Sequence, residues 1–256
     1  MSTVVKTTYL TLKRMISRSD LLSIIKANIA QYGYHKTAVT GGELPRFAYT
    51  IGCKSTLGIE FVFAGGEYYS YVNTGEIIDN IVSLARSEPD WHNLSMHLES
   101  LGDFSISKAD NSWGKLLVLG AFDYYDQAEI EVWQILPDRN HHTLDIPDMS
   151  QVFDVASQPV WQWLSRKWDY SIPSNSMAVT NLKVLFGEKA TEMMRWEVDE
   201  WEIFSEAGPD VPKEDRRIVP LGVLIGIDKT LELAVYLDIG KGLWRDNIKL
   251  EWNDWG

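Results

Sequence analysis

Five histidines, one cysteine and a carboxylate set inside an aromatic run are the residues of this chain whose types could do chemistry. His92 and His97 stand five apart, with Glu99 nearby, off the i, i+4 spacing that puts two metal-binding imidazoles on one helical face. They read as surface histidines on a helix before Gly102. His141-His142 with Asp145 and Asp148 has metal-friendly residue types. Adjacent histidines point in different directions in most conformations, and a loop after a strand accounts for them. Cys53 follows Tyr49-Thr50-Ile51-Gly52, where a thiol becomes a nucleophile only if a base such as His35 comes close and its pKa falls. A small residue at a strand end is the plainer reading. Glu60 lies within residues 59–63, so its carboxylate is either a buried, paired lock, with Arg46 as the candidate partner, or a functional acid. Gly41-Gly42 and Gly65-Gly66 lack the strand–glycine–helix context and lysine of a phosphate-binding loop, and read as turns. No catalytic residue, metal ligand or cofactor is assigned.

One further cluster suits binding better than catalysis. Trp196, Glu197, Asp199, Glu200, Trp201, Glu202, Glu206 and Asp210 combine two aromatic anchors with carboxylates too numerous to share one buried face. Aromatic anchors inside an acidic surround are what an interface with a basic protein uses. The loop beside them carries Gly208, Pro209 and Pro212, and loops lie on the surface, where recognition residues concentrate.

The bulk composition agrees. Lys and Arg number 24 against 36 Asp and Glu, a net charge of −12 that falls equally on residues 1–150 and residues 151–256. That field disfavours nucleic acid and anionic membranes and favours a basic protein partner. A single cysteine excludes an internal disulfide and a multi-cysteine zinc site. Residues 1–6 lack a charged start followed by a long apolar run, and no window has the apolar length of a membrane span, so the expected compartment is the cytoplasm.

The elements that must position these residues read as α+β in two small domains, each a mainly antiparallel sheet with helices packed on one face. Ser19-Asp20 starts a helix that Gly33 closes, with Leu21, Leu22, Ile24, Ile25 and Ile29 at helical spacing. Residues 47–52 and 59–65 read as paired strands. Thr74 caps a second helix whose stripe is Ile77, Ile78, Ile81, Val82 and Ala85, stopped by Pro89. Residues 115–119 and 129–136 read as strands. The expected boundaries are a domain over 1–148, a Trp-rich connecting segment over 149–176 that docks between domains, and a second domain over 177–256. In that domain residues 177–180 form a strand, and residues 191–196 and 201–205 form a strand pair. A polar loop spans 206–217, Asp228 caps a helix, and Trp244-Arg245-Asp246 starts the last strand.

Two sets of blocks resemble known families. Pro45-Arg46-Phe47-Ala48-Tyr49-Thr50-Ile51-Gly52, Glu60, Gly65-Gly66 and Glu131-Val132-Trp133-Gln134-Ile135-Leu136-Pro137-Asp138 resemble a bacterial family of unknown function over residues 20–148. Gly58-Ile59-Glu60 stands where that family carries His-Pro-Glu. Trp201-Glu202-Ile203-Phe204, Val219-Pro220-Leu221-Gly222-Val223-Leu224-Ile225-Gly226-Ile227-Asp228 and Gly240-Lys241-Gly242-Leu243-Trp244-Arg245-Asp246 resemble the thirty-third family of bacterial immunity proteins. That second resemblance implies an antidote that binds and occludes a cognate secreted antibacterial toxin, with no reaction catalysed. The alternatives are a small hydrolase or modification-reversing enzyme using Glu60, Cys53 and His35, and a housekeeping protein-binding module.

Overall fold

A computed structural model describes residues 17–255 of the chain; residues 1–6, read above for a signal peptide, lie outside the described residues. The Ser17 hydroxyl accepts the Asp20 amide and opens α1 (Arg18–Tyr32), and Gly33 closes it by donating its amide to Ile29 O. Then follow β1 (His35–Val39), β2 (Phe47–Ile51), the single turn α2 (Lys54–Leu57), β3 (Glu60–Ala64) and α3 (Tyr71–Ser87). After these come the hairpin of β4 (Ser95–Leu98) and β5 (Gly102–Lys108), α4 (Asn111–Leu117), α5 (Leu119–Tyr125) and β6 (Val132–Pro137). Helix α3 starts one turn before Thr74, because Ser70 and Asn73 form a reciprocal capping box there.

Two local expectations are corrected. Residues 115–119 are not a strand but cross the α4–α5 junction: Trp113, Gly114, Leu117 and Ala121 are buried at helical spacing. His97 lies on β4, not on a helix, since Ser95 and His97 alternate with the half-buried Met96 and Leu98.

The first sheet has the order β1-β2-β3-β6-β5-β4, parallel only at β3/β6. Phe47, Tyr49, Ile51, Val62 and Val132 project to one side, against Ile25 of α1, Trp113 and Leu117 of α4 and Ala121 of α5. Ala48, Phe61, Phe63 and Ile135 project to the other, against Ile77, Ile78, Ile81, Val82 and Ala85 of α3. The fold is α+β, and the helices of this part divide between the two faces of its sheet.

The second sheet is built from β7 (Met177–Asn181), β8 (Glu192–Arg195), β9 (Glu200–Phe204), β10 (Arg216–Pro220), β11 (Gly242–Trp244) and β12 (Asn253–Asp254), in the order β10-β7-β9-β8-β11-β12. The turn α6 (Leu182–Leu185) follows β7, and α7 (Leu221–Ile227) follows β10 and leads into a 3-10 segment, Lys229–Tyr236. The expected polar loop is shorter than 206–217, because Arg216 already pairs with Asn181 on β7. Arg245-Asp246 does not start the last strand. Arg245 follows β11 and is buried, donating to Ala190 O at 2.6 Å, Thr230 Oγ1 at 2.8 Å and Asp228 Oδ2 at 3.2 Å. Asp228 in turn caps the 3-10 segment through the Thr230 amide. The blocks over residues 219–228 and 240–246 therefore meet in one buried ion pair, Asp228 with Arg245.

Between the sheets lies the Trp-rich 3-10 segment Pro159–Leu164. Trp161 packs among Phe47 and Trp113 on the first sheet's side and donates its indole N–H to Asp145 O at 2.9 Å. Trp163 faces the other way, donating to Gly222 O at 3.3 Å and packing on Trp168 and Tyr170. Helix α7 is shared. Val223 joins the core of the first sheet, while Leu221, Leu224 and Ile225 join that of the second. Gly222 and Gly226, one turn apart, give α7 the bare side this approach needs. A Cβ on Gly226 would lie 2.4 Å from Val160 Cα, and one on Gly222 2.7 Å from Trp163 Nε1.

A second seam is polar. Arg46 lies 3.6 Å from the Glu67 carboxylate and donates to Gly66 O and Tyr69 O. Arg217, from β10, donates to Glu67 O at 3.0 Å and Tyr68 O at 3.0 Å. Asp145 is wholly buried beside them and accepts the Glu67 amide at 3.1 Å. Gly65 turns at φ 73°, and a Cβ there would sit 2.3 Å from Asp145 O, so its glycine serves packing and not phosphate. Among the described residues no helix is long and apolar enough to cross a membrane.

Two outcomes follow from these seams. Gly226→Ala should lower unfolding stability by about 2 kcal/mol or more, read by chemical denaturation, because backbone and not a flexible side chain blocks the new methyl. Burial, with the Asp145 charge adding and Arg46 opposing, pushes the Glu67 carboxyl up to about 7, and burial raises Asp145 as well. The folded state then holds protons that the unfolded chain has lost. Stability should therefore fall as pH rises from the ordinary carboxylate range through about 7. Denaturation midpoints at about pH 5 and about pH 7.5 check this, and Glu67→Gln, which mimics the protonated acid, should flatten the decline.

Candidate functional site

The structure settles where the chemistry-bearing side chains of the first sheet go. Glu60, at the start of β3, is fully buried and turned towards the end of β2. Its carboxylate accepts the Thr50 hydroxyl at 2.5 Å, the Gly52 amide at 2.9 Å, the Lys54 amide at 3.1 Å and the Tyr125 hydroxyl at 2.5 Å. The expected partner, Arg46, pairs instead with Glu67. Four donors around one carboxylate make it a pin that holds the β2–α2 corner to α5. Cys53 is buried beside it, and burial, reinforced by the Glu60 charge, pushes its thiol up to about 12. A thiol held protonated is no nucleophile at neutral pH. The His35 ring is bonded to the Asn28 amide at 2.8 Å, and among the described residues no hydrogen bond joins it to Cys53.

The other histidines scatter. His92 stacks on Trp91, His97 bonds Asp103 at 2.6 Å, and His141 bonds Asp138 while its ring packs on Tyr68. Among the described residues no three His, Cys, Asp or Glu side chains converge in a way that could hold a metal ion.

The acidic-aromatic cluster does form a surface, with one correction. Strands β8 and β9 pair antiparallel, Met194 opposite Glu202 and Glu192 opposite Phe204. Their alternation sends Met193, Trp201 and Ile203 into the core and leaves Glu192, Met194 and Glu202 on the opposite, open face. Trp201 is therefore not a surface anchor. It is 1% exposed, donates its indole N–H to Ala234 O at 3.0 Å and lies under the Arg195 guanidinium at 4.8 Å. Trp196, at the hairpin end, is 50% exposed and donates to Glu202 Oε2 at 2.8 Å. Glu197, Glu200 and Asp210 are exposed, Asp199 and Glu202 half-buried, and Glu206 is half-buried in an ion pair with Lys183.

On this open face a groove of about 410 Å³ runs between Trp196, Met194, Glu202, Glu192, Phe204 and Trp255. Trp255 is 40% exposed, and its amide donates to Gly242 O, which holds the C-terminal segment against β11. The Glu192 carboxylate accepts the Gly208 amide and is raised by burial, with Glu202 and Asp210 repelling it further. Arg216, the one cation lining the groove, donates to Gly208 O at 2.9 Å and Val211 O at 3.0 Å, and lies 5.8 Å over the Phe204 ring. Its guanidinium braces the 208–211 turn. Among the described residues no cation stands within 4 Å of Glu192 or Glu202.

Glu192, Met194, Phe204, Arg216 and Trp255 were missed in the sequence. A signal existed for the first three: period-two alternation through residues 192–195 and 200–204 puts Glu192, Met194, Glu202 and Phe204 on one face and Trp201 on the other. Trp255 carried no such signal, because it reaches the groove only through tertiary packing.

Residues 28–144 match the model of a family described as a domain of unknown function, DUF4262. That stretch includes most of the first sheet's blocks, among them the Glu60 pin and the Gly65-Gly66 turn. No curated protein matches the chain, and no solved structure matches it.

The Glu60 environment yields a direct check. Glu60→Gln turns part of an all-acceptor carboxylate into a donor facing four donors, and should cost about 2 kcal/mol or more of stability. Tyr125→Phe, which removes one of those donors, should cost about 1 kcal/mol, both read from denaturant midpoints.

Proposed function

We propose that this is a binding protein that captures a basic protein partner on the open face of its second sheet. We infer further that the partner is a secreted antibacterial toxin, which the bound protein blocks by covering its active-site face in the cytoplasm of the protected cell. The observation that carries the docking reading is the groove rim. Trp196 and Trp255 are partly exposed beside Glu192 and Glu202, which have no ion-pair partner among the described residues, in a chain of net charge −12. An antiparallel sheet commonly leaves one face solvated, but that face is then polar. Here it carries Ile218, Trp196, Trp244 and Trp255, all exposed. Aromatic anchors supply slow dissociation, and surrounding like charges supply fast, salt-sensitive association with an oppositely charged surface. The toxin part of the reading is supported by the resemblance of residues 201–204, 219–228 and 240–246 to the immunity family. It is further supported by the buried, inactive setting of Cys53.

Binding kinetics against the product of the adjacent reading frame, the expected place of a cognate toxin, test the reading. Charge reversal at Glu200 and Glu202 should slow association and flatten its salt dependence. Trp196→Ala should mainly speed dissociation, at a cost of about 2 kcal/mol if it is an anchor. Protection of cells should survive Cys53→Ala. Unchanged rates in all the surface variants would place the interface elsewhere. Loss of protection in a folded Cys53→Ala protein that still binds would replace occlusion by an enzymatic reading.

A further inference from the structure

We propose that the groove between β8, β9 and the C-terminal segment is a receptor for one arginine side chain presented by the partner. This rests on the docking reading above and narrows it to a ligand chemistry.

The floor of the groove is acidic and pre-oriented. Glu192 lies opposite Phe204 and Glu202 opposite Met194, so the two carboxylates are diagonal neighbours on one face, with backbones about 7–8 Å apart. Each is steered by a single donor: the Gly208 amide on Glu192 Oε1 and the Trp196 indole on Glu202 Oε2. Among the described residues, Glu192 Oε2 and Glu202 Oε1 accept no hydrogen bond. Two half-buried negative charges with free oxygens and no neutralising cation favour a cationic guest. Arg216 does not fill that role, since its guanidinium is bound to carbonyls of the 208–211 turn.

The walls select among cations. Trp196 and Trp255 line the groove and are partly exposed, while the Phe204 ring already carries the Arg216 guanidinium, and cations are attracted to the faces of such rings. A guanidinium is planar, stacks on indole and carries five donors that can reach two carboxylates at once. A lysine ammonium is a compact, strongly hydrated charge that would have to shed more water for fewer directed bonds. The volume of about 410 Å³ also fits an extended side chain with part of its backbone better than a simple ion. Binding has a proton consequence. A guanidinium beside Glu192 opposes the burial and like-charge repulsion that raise its carboxyl, so binding should release protons and tighten as pH rises through that titration.

The test uses the whole chain, labelled for NMR, with N-acetyl-arginine amide as probe and its citrulline and lysine counterparts as controls. Citrulline keeps the shape of arginine and lacks its charge. The expected result is a saturable shift of the Trp196 indole N–H signal with arginine, and affinity weaker by about tenfold or more for citrulline. Lysine should fall between them. Glu192→Gln/Glu202→Gln should weaken arginine binding by a similar factor. The buried Trp201 indole signal reports that the sheet is intact in each variant, and Glu202→Gln alone serves where the double variant loses that signal. Equal binding of citrulline and arginine would overturn the proposal, as would arginine binding untouched by the carboxylate changes. The two readings fail separately. Toxin binding that responds to Glu202→Lys, with no arginine binding, removes the arginine assignment and keeps the docking face. Arginine binding in this groove without toxin neutralisation does the reverse.

Discussion

The constraint on which the rest of the structure depends is the backbone approach between α7 and the Pro159–Leu164 segment. Each of the two sheets has its own core, and α7 contributes to both, through Val223 on one side and Leu221, Leu224 and Ile225 on the other. A helix can serve two cores only if a third face is bare enough for another chain segment to lie directly on it. Gly222 and Gly226 provide that face, and Trp161 and Trp163 reach from the segment that lies there into opposite sides. Interiors are close-packed, so a contact of this kind has almost no slack. The polar seam of Arg46, Glu67, Asp145 and Arg217 then sets the orientation that the apolar contact leaves free.

With the inner face of the second sheet committed to α7 and the 3-10 segment after it, its outer face is left, among the described residues, without an α-helix to cover it. That asymmetry concentrates the surface chemistry. In the first sheet both faces are covered, and its carboxylates are answered by local donors, as at Glu60. On the outer face of the second, Glu192 and Glu202 have no ion-pair partner among the described residues. A fold tolerates this at the cost of raising Glu192, through burial and the charges of Glu202 and Asp210. The physical contrast is between carboxylates used inside the chain as hydrogen-bond hubs and carboxylates left without an ion-pair partner among the described residues.

The family match over residues 28–144 falls on the covered sheet, and the groove falls outside it. Fold and site are thus separable here, as they are in general, since function resides in particular side chains and not in an architecture. The match speaks to how the first sheet is built. The proposed binding face must be judged on its own residues.

What the sequence by itself determined is whatever depends on neighbours in the chain. The Gly33 cap, the apolar stripe of α3, the antiparallel pair at 192–195 and 200–204 and the Asp228 cap were all legible, because a helical or period-two repeat is complete within a few residues. The acidic character of the surface and the place of the Trp196 hairpin were legible for the same reason. Tertiary structure alone decided which aromatic side chains were core. Trp196 and Trp201 have similar sequence surroundings, yet one lies at a hairpin end and the other under Ala234 and Arg195. Residues 115–119 were misread because a short apolar run suits a buried helix as well as a strand, and only packing against the sheet distinguishes them. The partners of Glu60 and Arg46 were likewise beyond the sequence. Tyr125 comes from 65 residues away and Glu67 from past the far end of β3, and nothing local ranks such partners against each other. Burial and charge pairing are properties of the folded neighbourhood, whereas periodicity belongs to the chain.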